Sequence, residues 1–104
     1  VVLVGGSTGN WPSMTVEERI AEGKAWAAPA KKHELTFLFH VGHTDLTSAK
    51  RLASAGEEMG ADMLLMVAPC IIRPRTVDEL VGWMAEVAAE APNTPILYYH
   101  FPSL

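Results

Sequence analysis

The chain has 104 residues, 49% of them apolar and 19% charged, with 8 Lys+Arg against 12 Asp+Glu for a net charge of −4. That length suits one domain or a piece of a larger one, and the apolar content excludes a disordered or tail-like polypeptide. The mild acidity gives no basic footprint for nucleic acid or an anionic membrane surface, and the longest apolar run, residues 63–68, is too short to span a bilayer.

Residues 1–4, Val-Val-Leu-Val, read as a buried strand with no leader ahead of them. The loop Gly5-Gly6-Ser7-Thr8-Gly9 follows, and its small residues, two hydroxyls and open amides suit an anion or a carboxylate. It satisfies neither the G-x-G-x-x-G nor the P-loop pattern, so a ligand-free strand-to-helix turn stands beside the binding reading. Thr15 with Glu18 forms a capping box that opens a first helix, expected to run to about Ala28, where Pro29 discourages continuation. A second strand covers 35–41. Asp45 then caps a second helix, which sets Ala49, Leu52, Ala53 and Gly56 on one face and ends near Gly60. Residues 63–68 are apolar at successive positions, as in parallel strands covered on both faces. Thr76 and Glu79 repeat the capping box, and the third helix carries a stripe of Leu80, Val81, Met84, Val87, Ala88 and Ala91 before Pro92. The last strand, 96–99, runs into His100. Alternation sends Tyr98 and Tyr99 to opposite faces, one for packing and one free to project toward a barrel mouth; two core tyrosines are the plainer alternative. The chain stops at Phe101-Pro102-Ser103-Leu104, and a chain that starts and stops on core strands is expected to be an excerpt of a longer one.

The order β-α-β-α-β-α-β, with a spacing of roughly 30 residues, defines an α/β fold with a parallel sheet and no linker inside it. A doubly wound sheet and part of a (β/α)₈ barrel both fit that order. In either, ligands bind at the carboxyl ends of the strands, so the loops at 5–14, 42–46, 69–75 and 99–104 are the places to search. His40, His43 and His100 lie near strand ends, but no carboxylate stands beside them at ligand spacing. They read as structural or loop histidines, and no metal or other cofactor is expected. Asp45 is better explained as a helix cap than as a base. The single cysteine, Cys70, excludes an internal disulfide and reads as a semi-buried thiol. It fits a reducing compartment, and a cytoplasmic location is expected. Trp11, Trp26 and Trp83 are spread over different elements, where packing is their default role.

Three segments together carry a resemblance that no single motif does. Gly6-Ser7-Thr8-Gly9 with Thr15-Val16-Glu17-Glu18-Arg19 resembles the second strand and helix of the dihydrodipicolinate synthase/N-acetylneuraminate lyase family. His40-Val41-Gly42, then Gly60-Ala61-Asp62 and Ala68-Pro69 with Arg73-Pro74, resemble its third and fourth strands, and Leu97-Tyr98-Tyr99-His100-Phe101-Pro102 its fifth. Within the family this last segment is closer to the animal-type lyases, where His stands in place of the synthases' Asn. Cys70-Ile71-Ile72 also lacks the paired tyrosines typical of the synthases.

The resemblance implies a partial (β/α)₈ (TIM) barrel over residues 1–104, about half a barrel. It implies a class I aldolase, in which a lysine amine on the sixth strand forms a Schiff base with a keto acid. The lyase branch splits N-acetylneuraminate, a sialic acid, into pyruvate and N-acetylmannosamine, without metal or organic cofactor. A synthase, another keto-acid aldolase of the family, or a noncatalytic binding relative remain the alternatives. By the same resemblance Ser7 and Thr8 bind the substrate carboxylate, Ser7 with a catalytic share, and Tyr99 is the proton-relay phenol. The partner is a small molecule, with no nucleic acid or membrane, and the full-length protein is expected to be a homo-oligomer. Two departures stand out. Asn10 occupies the position where the family usually has Glu, and no lysine lies on a strand: Lys24, Lys31, Lys32 and Lys50 all fall in or at the ends of helices. The chain alone is therefore expected to be inactive.

Overall fold

The computed structural model describes residues 1–102. In chain order they form β1 (Val2–Val4), a 3-10 turn (Trp11–Ser13), α1 (Val16–Lys32), β2 (Phe37–His40), α2 (Leu46–Glu58), β3 (Met63–Met66), α3 (Val77–Ala89) and β4 (Ile96–Tyr98). The strands make one sheet in the order β1-β2-β3-β4, each neighbouring pair parallel.

Register sets Val4 beside Phe39, Phe39 beside Leu64, and Leu64 beside Ile96. This row and its alternate neighbours form the covered face. Phe37, Phe39, Leu64 and Met66 share one core with Ala49, Leu52 and Ala53 of α2 and Val87 of α3, and Ile20 and Ala27 of α1 pack against it. Burying each large apolar side chain contributes about 1.5–3 kcal/mol, so this layer holds the sheet to its helices. All three helices lie on one face and the strand order never reverses. That is the arc of a barrel. A doubly wound sheet would place helices on both faces and reverse its strand order.

Local chemistry explains the elements. On α1 the capping box is complete: the Glu18 amide donates to Thr15 Oγ1 and the Thr15 amide to Glu18 Oε1, each at 3.1 Å. The α1 positions turned inward, Val16, Ile20, Gly23, Ala27 and Ala30, recur at helical spacing. Asp45 caps α2, its Oδ2 accepting from the Ser48 amide at 2.8 Å. Gly56 lets α2 lie close to the sheet, since a Cβ there would come within 2.6 Å of Leu64 Cδ2.

Four expectations need correction. Pro29 does not end α1, which continues to Lys32. Ala30 is buried in the core, and Pro29 sits on the exposed side, where water can satisfy the carbonyl that proline leaves unpaired. The second capping box is only half formed. The Glu79 amide donates to Thr76 Oγ1, but the Glu79 carboxylate turns to the Arg75 amide at 2.6 Å and to the Arg75 guanidinium. On the α3 stripe, Val87 and the following Ala91 are buried while Val81 is exposed. The strands are also shorter than the apolar runs, although the ladder continues through Val41 N to Leu65 O (2.9 Å) and Tyr99 N to Met66 O (2.8 Å).

Candidate active site

At the carboxyl end of β1 the chain turns through Gly5, whose φ of +79° is left-handed backbone that glycine adopts without strain. Residues 6–10 then fold on themselves, with Gly9 N donating to Gly6 O and Asn10 N to Ser7 O, both at 3.0 Å. Asn10 also takes a left-handed conformation (φ 65°), and its Oδ1 accepts from Ser13 Oγ at 3.1 Å. The Asn10 side chain thus closes the loop locally. Among the described residues, the amides of Ser7 and Thr8 make no backbone hydrogen bond, and both side chains are exposed. Two hydroxyls and two uncommitted amides are suited to a carboxylate.

Behind this loop lies a buried polar cluster. Arg19 of α1 is 1% exposed, and among the described residues it forms no ion pair. Its guanidinium instead donates to Gly42 O and His40 O, each at 2.9 Å, and lies 4.9 Å from the Trp11 ring centroid. Burial lowers its pKa to about 10, which leaves it charged at neutral pH. His40 is 2% exposed, and its Nδ1 lies 2.9 Å from Gly5 O and 3.2 Å from the guanidinium. Burial, then the neighbouring Arg19 charge, push its pKa down to about 4, against the opposing pull of Gly5 O, so the ring is neutral. Nδ1 cannot both donate to Gly5 O and accept from the guanidinium. A carbonyl can only accept, so the shorter contact assigns the proton to Nδ1 and leaves Nε2 an acceptor. The 3.2 Å approach of Arg19 is then a non-bonded one, its Nη2 donating to His40 O instead. That Nε2 is buried without a partner among the described residues. It crowds Gly42, where a Cβ would stand 2.7 Å from it.

The uncovered face of the sheet opens into a cleft of about 350 Å³ at the strand carboxyl ends. Ser7, Thr8, His40 and Tyr99 line it, with Leu3, Leu65, Val67 and Phe101 as its apolar wall. Tyr99 is half-exposed and stacks on Phe101, with ring centroids 5.7 Å apart. Tyr98 points the other way, toward a groove beside α3, with its hydroxyl 3.2 Å from His100 Nδ1. The structure therefore brings together Ser7, Thr8 and Tyr99 and separates Tyr98 from them.

The remaining candidates disperse. His43 Nδ1 sits 2.9 Å from Asp45 Oδ1, and no group of three or more His, Cys, Asp or Glu among the described residues could hold a metal ion. Cys70 is half-buried and Trp26 exposed, while Trp11 and Trp83 pack. Lys50 reaches Glu86 of α3 and Glu90 at its C-terminal cap, and no lysine lines the cleft. The last two positions of the 99–104 loop lie outside the described residues. The Arg19–His40 cluster is what sequence reasoning missed as a unit. Its signal was an arginine among the inward positions of α1, between Val16 and Gly23.

A parallel sheet in chain order, helices on one face and a polar cleft at the strand carboxyl ends define the (β/α)₈-barrel class. The sequence pattern of the dihydrodipicolinate synthetase family matches residues 1–104, and the chain belongs to that family. It is 37% identical over 103 residues to N-acetylneuraminate lyase A of Xenopus laevis, covering 99% of this chain and 34% of the relative. The Proteus mirabilis N-acetylneuraminate lyase superposes with a TM-score of 0.88 at 31% identity, over 94% of this chain and 33% of that one. A Ruminococcus gnavus sialic acid aldolase, solved as a catalytic lysine mutant, gives 0.91 at 27% identity, over 99% and 33%. The chain thus spans about a third of the length of the relatives it matches.

Proposed function

We propose that this chain is the carboxylate-binding and proton-relay part of a Schiff-base aldolase that cleaves N-acetylneuraminate to pyruvate and N-acetylmannosamine. In this reading residues 1–104 are about half of a (β/α)₈ barrel whose remaining strands include the amine-bearing sixth. The observation that carries it is the convergence of Ser7, Thr8 and Tyr99 on one cleft. The hydroxyls and free amides of the Ser7-Thr8 loop hold the keto acid's carboxylate, which fixes its carbonyl carbon for attack by the lysine. The protonated imine then withdraws electrons as the carbon–carbon bond breaks. Tyr99 takes up and returns the proton, because a phenol beside a cation favours its charged form.

Once further strands close the barrel, the apolar wall of the cleft would exclude water from the imine, and the 37% identity to a vertebrate lyase favours lyase over synthase. Exposed Ile71, Ile72, Val77 and Val81, together on and after the β3–α3 loop, support a homo-oligomer in the complete protein. No helix of the described residues is long and apolar enough to cross a membrane, and we place the complete protein in the cytoplasm.

Incubating the complete protein with pyruvate and borohydride should trap one pyruvyl adduct on a sixth-strand lysine. Tyr99→Phe should lower turnover roughly 100-fold or more while pyruvate binding changes only slightly. Absence of any adduct would make this a noncatalytic keto-acid or sugar-binding relative. Dihydrodipicolinate synthase activity in place of N-acetylneuraminate cleavage would make it a synthase.

A further inference from the structure

We propose that His40, secured by Arg19, is a positioning residue for the Ser7-Thr8 loop: its Nδ1–H holds the Gly5 carbonyl and so sets where the loop meets a substrate carboxylate. The proposal rests on the reading of Ser7 and Thr8 as the carboxylate site.

The argument starts from how the loop is attached. Residues 6–10 are bonded mainly to one another, through Gly9 to Gly6 and Asn10 to Ser7. Such a turn keeps its own shape, and its position is set at its two ends, the Gly5 hinge and the buried Trp11. The side-chain bond that ties this hinge to the next strand is His40 Nδ1 to Gly5 O, at 2.9 Å. His40 is in turn fixed from behind. Arg19 crosses from α1 to grip both the His40 and Gly42 carbonyls, and Trp11 covers the guanidinium and lies 5.7 Å from the imidazole.

A buried guanidinium bonded to two carbonyls and no carboxylate costs desolvation that packing alone would avoid. What the arginine adds is a positive charge 3.2 Å from the imidazole Nδ1, which opposes protonation of the ring. A neutral ring has one N–H to give, and the Gly5 carbonyl receives it. His40 also lines the substrate cleft, so any slackening of this bond is felt where the carboxylate sits.

Two amide variants separate positioning from bulk. In His40→Asn the side-chain nitrogen can take the place of Nδ1 and still donate to Gly5 O. In His40→Gln the amide nitrogen falls at the Nε2 position and the donor to Gly5 is lost. In the complete protein, hydrogen exchange over residues 5–10 should quicken about tenfold in the Gln variant and stay within about threefold of wild type in the Asn variant. KM for the keto acid should follow the same order, with kcat little changed. Equal exchange in the two variants, or faster exchange in the Asn variant, overturns the proposal whether or not the protein forms a pyruvyl adduct. An adduct in wild type together with unchanged KM in His40→Gln overturns the proposal while leaving the aldolase reading intact. Altered loop exchange without any adduct supports the positioning role and defeats the aldolase reading alone.

Discussion

The two faces of the sheet differ sharply. On the helix side Phe39, Leu64 and Met66 are completely buried, whereas on the other side Leu3, Leu97 and Tyr99 are 46%, 43% and 49% exposed. Both faces are built from the same kind of residue. A sheet that buries one face and leaves the other apolar and open has unsatisfied hydrophobic surface of the sort that a closed barrel would cover. The exception on the open face is polar and already buried: His40, roofed by the Gly5 turn and backed by Arg19. The covered face supplies stability, and the open face supplies the cleft.

Truncating one side chain on each face should give the largest effect and a direct reading of that difference. Phe39→Ala should cost about 3–5 kcal/mol, because the void lies in a packed layer between β2 and the helices. Leu97→Ala should cost about 2–4 kcal/mol in a complete barrel and less than about 1 kcal/mol if the inner face stays open to water. Urea unfolding of the complete protein distinguishes the two cases. A small Leu97 effect would refute closure by further strands.

Much of this contrast was legible in the sequence. The βα alternation needs only local periodicity, and the opposite directions of Tyr98 and Tyr99 follow from strand pleating. The caps at Thr15 and Asp45 act within a single turn and so can be read from three or four residues. Tertiary effects were not legible in the same way. Pro29 looks like a terminator until the burial of Ala30 makes one more turn of helix worthwhile. Glu79 fits a capping box, yet Arg75 offers it a charged partner beside an amide. The Arg19–His40 cluster joins α1 to two strand-end loops that are distant in sequence, and no local pattern could show that the His40 and Gly42 carbonyls meet one guanidinium while the His40 ring meets the Gly5 carbonyl.

The polar island on the open face should also register in acid. His40 titrates near 4 in the fold against 6.5 ordinarily, so between those values the unfolded chain holds a proton that the folded chain lacks. Stability is therefore complete above about pH 6.5 and declines as the pH falls toward 4, by at most about 3 kcal/mol. Glu18 and Asp45, whose carboxyls are held below their ordinary values of 4.5 and 3.8 by amide hydrogen bonds from Thr15 and Ser48, contribute their own losses at lower pH. His40→Asn should remove the upper part of the decline and leave the lower part. Parallel wild-type and variant curves between pH 4 and 6.5 would mean that the imidazole is not buried as described.

The smallest effect should come from a site that is indifferent to whatever covers the inner face. After α1 the chain turns at Glu34, whose φ of 57° is left-handed, while Leu35 N donates to Ala30 O at 2.8 Å and Glu34 N to Lys31 O at 3.2 Å. This closure is the kind in which glycine usually occupies the left-handed position, and a residue with a Cβ there costs about 1–2 kcal/mol. Glycine would relieve that strain but add freedom to the unfolded chain, offsetting roughly half the gain. Glu34→Gly should therefore stabilise the protein by about 0.5–1 kcal/mol, read as a higher urea midpoint at constant slope. Because α1 and β2 are already joined through the covered core, the gain should be the same in the wild-type and Leu97→Ala backgrounds. A gain that changes with Leu97 would mean that the two faces are coupled through the sheet, and the division of labour between them would have to be abandoned.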